Sequence, residues 1–154
     1  MKNSPPESAG ELKARALRLL ARREHTRAEL ARKLAPHAAS GAALEALLDG
    51  LVAKHQLSEA RYAEERARVL ARKYGTARIR HELKAKGVAP EIVARLSDDA
   101  NELERAIAIV RRRFPAPAAT REERARRIRF LQGRGFSHDT IRAALRGEVD
   151  ETDG

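Results

Sequence analysis

The chain of 154 residues contains no cysteine and no tryptophan, and aromatic residues make up only 3% of it. The lack of Cys excludes disulfides, thiol nucleophiles and thiolate metal sites, and it is typical of a reducing compartment. Runs of strand-forming residues are also missing, so packing must rely on Leu, Ile, Val and many Ala. No apolar run approaches the roughly 18 residues that span a bilayer, and residues 1–6 lack the apolar core of a signal peptide. We therefore expect a helical, cytoplasmic protein.

The residue patterns of common catalytic sites are missing as well. The five histidines lie far apart in the sequence, and His81-Glu82 lacks the second His that a zincin helix carries four residues further on. Four of the serines stand at predicted helix starts, where capping explains them better than nucleophilic catalysis. Neither a phosphate-binding loop nor a dinucleotide fingerprint is present. We expect no catalytic residues, no metal site and no cofactor.

The most informative stretch covers residues 130–141, where one predicted helix ends and another begins. Gly135 stands just after the first helix, where the left-handed conformation is favoured, and Ser137 can accept from the free N–H groups of the next helix. Phe136 and Ile141 have the spacing of a hydrophobic staple, which fixes the angle between the helices. We interpret this stretch as a structural joint and not as an active site.

The same joint recurs about 48 residues earlier with different residues. Gly87 takes the place of Gly135, and Val88 and Val93 take the places of the staple residues. Pro90 falls at the first helical position, where a missing N–H costs nothing. This recurrence predicts a tandem array of helical units.

Capping signals and apolar spacing divide the chain into nine predicted helices, grouped as three tandem three-helix repeats in an all-α protein. Gly75 is expected to stop the fourth helix. The expected boundaries are a disordered lead at 1–8, repeats at 9–57, 58–99 and 100–147, and an acidic tail at 148–154. The apolar stripe of the seventh helix is expected to contain Leu103, Ala106, Ile107, Val110 and Phe114.

The chain carries a formal net charge of +10, and its acidic tail offsets a more basic body. Four carboxylates lie in the tail, so residues 1–147 carry a charge of +14. Such a body attracts phosphates, by counterion release where the partner is nucleic acid. An acidic protein surface is the other partner that this charge favours, and a GC-rich genome could account for part of the Arg and Ala content.

Basic residues cluster in two blocks, at 61–86 and 105–134, and the first block is favoured because an arc of repeats usually binds along one face. Tyr62 and Tyr74 could stack on a base or on a partner side chain, although Tyr74 is better explained as a core residue. The expected partner or DNA contacts are Arg61, Tyr62, Arg66, Arg68, Arg72, Lys73, Arg78, Arg80, Lys84, Lys86, Arg124, Arg127 and Arg134. The expected structural joints are Gly75, Gly87, Gly135, Phe136 and Ser137.

The segment 83–96 also has the turn glycine and apolar spacing of a helix-turn-helix. Its second helix, however, offers Arg95 as the only basic or amide side chain. The chain then continues into Asp98 and Asp99, which would repel the phosphate backbone. A stand-alone helical DNA-binding protein with helix-turn-helix-like units is therefore kept as the alternative function.

Several segments, taken in order, resemble the RecX family of RecA regulators. They are Leu-Ser-Glu-Ala-Arg-Tyr-Ala at 57–63, Lys-Tyr-Gly at 73–75, Leu-Lys-Ala-Lys-Gly-Val at 83–88 and Phe-Leu-Gln-Gly-Arg-Gly-Phe-Ser at 130–137. The match covers about residues 12–146. Ser58 departs from the family, where Asp is common, and Ser97 occupies the final apolar position that Leu145 fills in the third unit.

The resemblance implies an elongated, curved and monomeric array that lies in the groove of a RecA filament on single-stranded DNA. Duplex DNA is a further candidate partner. Such proteins inhibit the recombinase, ATPase and coprotease activities of the filament by blocking its extension or promoting its disassembly, without chemistry or cofactors of their own. That role belongs to homologous recombination, DNA repair and the SOS response. The family signature does not assign individual contacts, so the expected contact residues come from charge clustering alone.

Overall fold

A computed structural model describes residues 5–96 and 101–146 of the chain. Within these ranges the chain forms nine α-helices, a short 3₁₀ turn at Ala35–His37 and no strand, which confirms the all-α prediction. The helices are α1 (Ala9–Arg22), α2 (Arg27–Leu34), α3 (Gly41–Ala53), α4 (Glu59–Leu70), α5 (Thr76–Ala85), α6 (Pro90–Arg95), α7 (Glu102–Arg113), α8 (Arg121–Gly133) and α9 (His138–Ala144).

The helices form three units of three, and each unit has its own apolar core. Leu30 and Leu48 lie in the first core, Leu83 in the second, and Leu131 and Leu145 in the third. Each helix packs most extensively against the other two helices of its unit. The prediction of tandem three-helix repeats is therefore confirmed. The exact repeat boundaries stay a prediction, and the acidic tail and Ser97 lie outside the described residues.

Side-chain caps explain where most of the helices begin. Six helices start after a Ser or Thr whose hydroxyl oxygen accepts from the backbone N–H three residues further on, at 3.0–3.2 Å. Such a cap satisfies one of the donors that a helix start leaves without a partner. The capping residues are Ser8, Thr26, Ser40, Ser58, Thr120 and Ser137.

The two glycine joints have the same backbone geometry. Gly87 has φ of 84° and Gly135 has φ of 86°, in the left-handed region that glycine adopts without steric cost. The N–H of the next residue donates to the carbonyl four residues before the glycine, and the staple residues on either side of each joint are buried. The joints therefore fix the angles between α5 and α6 and between α8 and α9.

Gly75 plays a different role from the one expected from the sequence. α4 already ends at Leu70, and Gly75 caps the start of α5 with φ of −80°, so the prediction that Gly75 stops α4 is wrong. A Cβ atom at this position would lie 2.5 Å from the carbonyl oxygen of Gly135. Glycine is required here because two backbone segments touch.

The buried face of α7 is also rotated from the predicted stripe. Glu102, Ala106, Ile109 and Val110 are buried, whereas Leu103 is 37% exposed. The rotation lets the carboxylate of Glu102 meet hydrogen-bond donors on α5 and α9. A buried carboxylate must be satisfied by donors, and this requirement places an apolar side chain on the surface.

Candidate partner-binding cleft

The second and third units meet through their glycines, at what we call the second junction. The backbone N–H of Gly75 donates to the carbonyl oxygen of Arg134 at 2.7 Å. A Cβ atom on Gly135 would clash with the Cβ of Arg78. The joint between α8 and α9 is therefore pressed against the start of α5, and it brings Arg134 to the boundary between the units.

A buried carboxylate fastens the second junction. Glu102 is 5% exposed. Its Oε1 accepts from the backbone N–H of Thr76 at 3.1 Å, and its Oε2 accepts from the hydroxyls of Thr140 at 2.6 Å and Ser137 at 3.4 Å. Thr76 is the first residue of α5, where the helix dipole favours a negative charge. One side chain of α7 therefore links the start of α5 to the start of α9.

A cleft of about 450 Å³ opens beside the second junction, and we call it the basic cleft. Its side chains are either basic or apolar. None of its cations is ion-paired with a carboxylate of the described residues. The basic cleft is lined by Arg72 and Lys73 from the second unit and by Ile109, Arg112, Arg113, Phe130 and Arg134 from the third.

Aromatic rings hold some of the arginines of the basic cleft in place. The guanidinium carbon of Arg134 lies 5.5 Å from the ring centroid of Tyr74 and 5.1 Å from that of Phe130. Arg113 lies 5.3 Å from the ring centroid of Phe114. Such cation–π contacts orient a guanidinium without neutralising its charge. These cations are therefore positioned but uncompensated.

Three of the six arginines of the first unit are in a different electrostatic state. Hydrogen bonds from Arg23 lower the pKa of the Glu29 carboxyl from 4.5 to about 2, and the same contact raises the pKa of Arg23. Arg27 donates to two carboxylates at 2.7 Å, and Arg15 is paired with Glu7. The charge of each of these three arginines is therefore compensated by a nearby carboxylate.

Family models match the chain in three consecutive places. The first, second and third three-helix domains of RecX match residues 13–49, 58–95 and 100–145. The chain belongs to the RecX family. This membership confirms the resemblance that the sequence segments indicated.

Individual RecX proteins agree with this assignment. The regulatory protein RecX of Herbaspirillum seropedicae is 49% identical over 152 residues, covering 97% of each chain. The regulatory protein RecX of Leptothrix cholodnii is 52% identical over 137 residues, covering 88% of this chain and 87% of the relative. The crystal structure of RecX from Lactobacillus salivarius superposes with a TM-score of 0.75 at 21% identity, over 89% of this chain and 94% of that one. That structure shares the fold.

Three of the contact residues expected from the sequence lie together in the basic cleft of this RecX chain, namely Arg72, Lys73 and Arg134. Sequence reasoning did not select Arg112 and Arg113, although both lie in the second basic block. The sequence signal that could have identified them is their position at the end of α7, just before Phe114. That position places them beside the unit boundary.

Other expected contact residues are divided among separate surfaces. Arg68 and Arg80 line a cavity of about 470 Å³ together with Glu64. Arg66 and Lys86 line one of about 330 Å³ that also contains carboxylates. Arg61 pairs with Glu24. Arg78 lies 3.6 Å from Glu82 and over the Tyr74 ring. Lys84 is exposed, and Arg124 is half-buried. The structure does not gather these residues into one patch.

Two of the expected contact residues are core residues. Tyr62 is 8% exposed within the core of the second unit, where burial raises the pKa of its phenol. Arg127 is 6% exposed, with its guanidinium carbon 5.0 Å from the Phe114 ring centroid. The expectation that Tyr62 stacks on a partner does not fit this burial. Tyr74 is half-buried beneath Arg78 and Arg134 and packs against the same core, in line with its expected core role.

The third RecX domain does not present a reading helix to a DNA groove. In a helix-turn-helix, residues at the start of the second helix contact base edges. Here Ser137 and Thr140, at the start of α9, donate to the buried Glu102, and the exposed Asp139 between them would repel a phosphate backbone. The helix-turn-helix alternative therefore lacks its central element in this unit.

No helix at 5–96 or 101–146 is both long and apolar enough to cross a membrane. No group of three or more His, Asp or Glu side chains there is arranged to hold a metal ion.

Proposed function

We propose that this chain is a non-enzymatic regulator that binds the RecA filament on single-stranded DNA. In this proposal it inhibits the recombinase, ATPase and coprotease activities of the filament by blocking its extension or promoting its disassembly. Membership of the RecX family of regulatory proteins is the observation that carries the proposal. The proposal places the protein in the cytoplasm, as a monomer.

The chemistry of the basic cleft supports action by binding. Its polar side chains are arginines and a lysine, and a guanidinium does not lose its proton in a protein, so it cannot serve as a general base. Uncompensated cations held on two units suit a long anionic partner. The helix-turn-helix alternative is less well supported, because the second helix of segment 83–96 offers Arg95 as its only basic side chain.

The test is ATP hydrolysis by RecA on single-stranded DNA in the presence of the purified protein. We expect inhibition at well below one molecule per RecA, because a regulator that stops filament extension acts at filament ends. Adding the protein to growing and to preformed filaments separates a block of extension from disassembly. An unrelated basic protein of similar net charge is the control. Absence of inhibition at equimolar protein would contradict the proposal.

A further inference from the structure

We infer that the basic cleft binds the sugar-phosphate backbone of single-stranded DNA, with Arg134 at its centre. The inference deepens the proposed function and rests on it, since single-stranded DNA is the strand on which the partner filament forms. It assigns one part of this chain to DNA. The assignment follows from charge, stacking and geometry at the second junction.

The first argument is charge. Each of three other arginine-lined cavities of the described residues also contains at least one glutamate, whereas the basic cleft contains none. Its five cations have no carboxylate partner among the described residues. Phosphates that enter such a site replace solvent ions, and the release of counterions from the strand favours binding.

The second argument concerns the aromatic rings and the guanidinium plane that lie beside these charges. The guanidinium of Arg134 lies against the rings of Tyr74 and Phe130. Phe130 in turn packs edge-to-face on Phe114, with ring centroids 5.5 Å apart. Proteins that bind single strands combine a basic groove with aromatic and guanidinium planes on which unpaired bases stack. An acidic peptide would satisfy the charges but would leave these planes unused.

The third argument is that the site is concave and is assembled from two units. Arg112 donates to the backbone carbonyl of Arg72 at 2.8 Å, and Gly75 donates to that of Arg134. These bonds fix the spacing of cations that lie far apart in sequence. Ser137 and Thr140 at the start of α9 are bonded to Glu102, and the exposed Asp139 beside them would repel the phosphates of a duplex groove. A single strand, whose backbone and bases are both accessible, fits this arrangement.

The test compares two triple variants of the full chain by the fluorescence anisotropy of a labelled oligothymidine. The cleft variant is Arg72→Ala, Lys73→Ala and Arg113→Ala, none of which donates a side-chain hydrogen bond to the described residues. The control is Arg18→Ala, Arg22→Ala and Arg32→Ala, which removes the same charge from exposed positions of the first unit. We expect the cleft variant to bind at least about 10-fold more weakly and the control to stay within about threefold. The slope of log K against log salt concentration should be smaller by about 2 in the cleft variant. Each of the three lost phosphate contacts contributes about 0.7 to that slope on a single strand.

Several results would overturn the inference. Equal losses in both variants would show that net charge, and not the basic cleft, determines binding. Tighter binding of a duplex of the same length, or competition by polyglutamate as effective as that of unlabelled oligothymidine, would assign the cleft to another partner. Ultraviolet cross-linking of the wild-type protein needs no variant to fold. We expect adducts on peptides that contain Tyr74 or Phe130, and adducts confined to other units would also overturn the inference.

The ATPase assay separates this inference from the proposed function. Wild-type protein that inhibits RecA but does not bind oligothymidine would overturn only the inference. Wild-type protein that binds oligothymidine through the basic cleft but leaves RecA unaffected would overturn only the proposed function.

Discussion

The two junctions of the array are held together in different ways. Between the first and second units, Arg61 donates to Glu24 at 2.8 Å and to the carbonyl of His55 at 2.7 Å, both at exposed positions. The second junction is held by the backbone bond from Gly75 to Arg134 and by the buried carboxylate of Glu102. One junction is an ion pair in water, and the other is closely packed backbone.

This difference decides which arginines are available to a partner. A junction made by surface ion pairs uses basic side chains for its own structure, as Arg61 shows. A junction made by glycine backbone and one carboxylate needs none of them as ion-pair partners, so the cations around it keep their charge. The glycine joints therefore contribute to binding indirectly, because they hold two units together and leave the basic cleft open.

The substitution expected to weaken the second junction most strongly is Gly75→Ala. The new Cβ would lie 2.5 Å from the carbonyl oxygen of Gly135, so the second and third units would have to separate or strain. We expect the free energy of unfolding to fall by about 3 kcal/mol, at the upper end for overpacking. Urea unfolding followed by far-ultraviolet circular dichroism measures this loss.

Gly50→Ala is the matched control for that prediction. Gly50 lies inside α3, and nothing is within 4 Å of a Cβ atom built on it. We expect this variant to be as stable as the wild type or more stable by roughly 0.5–1 kcal/mol, because alanine favours a helix interior. Equal destabilisation by the two variants would show that the glycine contact does not hold the second junction.

The next largest effect is expected from Glu102→Ala. The substitution leaves the N–H of Thr76 and the hydroxyls of Thr140 and Ser137 without their acceptor, at a cost of about 2 kcal/mol. We expect the Thr76 amide to exchange its hydrogen faster, as measured by nuclear magnetic resonance. Glu104→Ala, at an exposed position in the same turn of α7, should cost only a few tenths of a kcal/mol. Unchanged exchange at Thr76 would mean that Glu102 does not fasten the start of α5.

Features that depend on neighbouring residues could be predicted from the sequence. A helix cap requires a hydroxyl and an N–H three residues apart, and a staple requires two apolar side chains at a fixed spacing. The four serine caps could therefore be predicted. The recurrence of one joint was sufficient to predict the tandem units.

Features that depend on distant residues could not be predicted. Glu102 reads as an ordinary first-turn acid, because its donors Thr76 and Thr140 lie 26 and 38 residues away. Its burial rotates α7 and exposes Leu103, which reversed part of the expected stripe. The basic cleft was missed as a unit for the same reason, since Arg72 and Arg112 meet only after two units have docked.

The smallest effect concerns the paired charges of the first unit, and it depends on pH. Arg23 lowers the pKa of Glu29 from 4.5 to about 2. Between these two pH values the carboxyl is therefore ionised in the folded state and protonated in the unfolded state. The resulting stabilisation is present above about pH 4.5 and is lost as the pH falls towards 2. Arg23 is 46% exposed, and solvent screening reduces the contribution to about 1 kcal/mol or less.

Glu29→Gln tests this assignment by urea unfolding at pH 6 and pH 2.5. We expect the wild type to be more stable than the variant by up to about 1 kcal/mol at pH 6, with most of that difference gone at pH 2.5. Because Glu29 lies outside the basic cleft, the variant should bind oligothymidine as the wild type does. A stability difference that persists at pH 2.5 would mean that packing, and not the ion pair, accounts for the contribution of Glu29. The contrast between the paired arginines of the first unit and the unpaired arginines around the second junction would then lose its electrostatic basis.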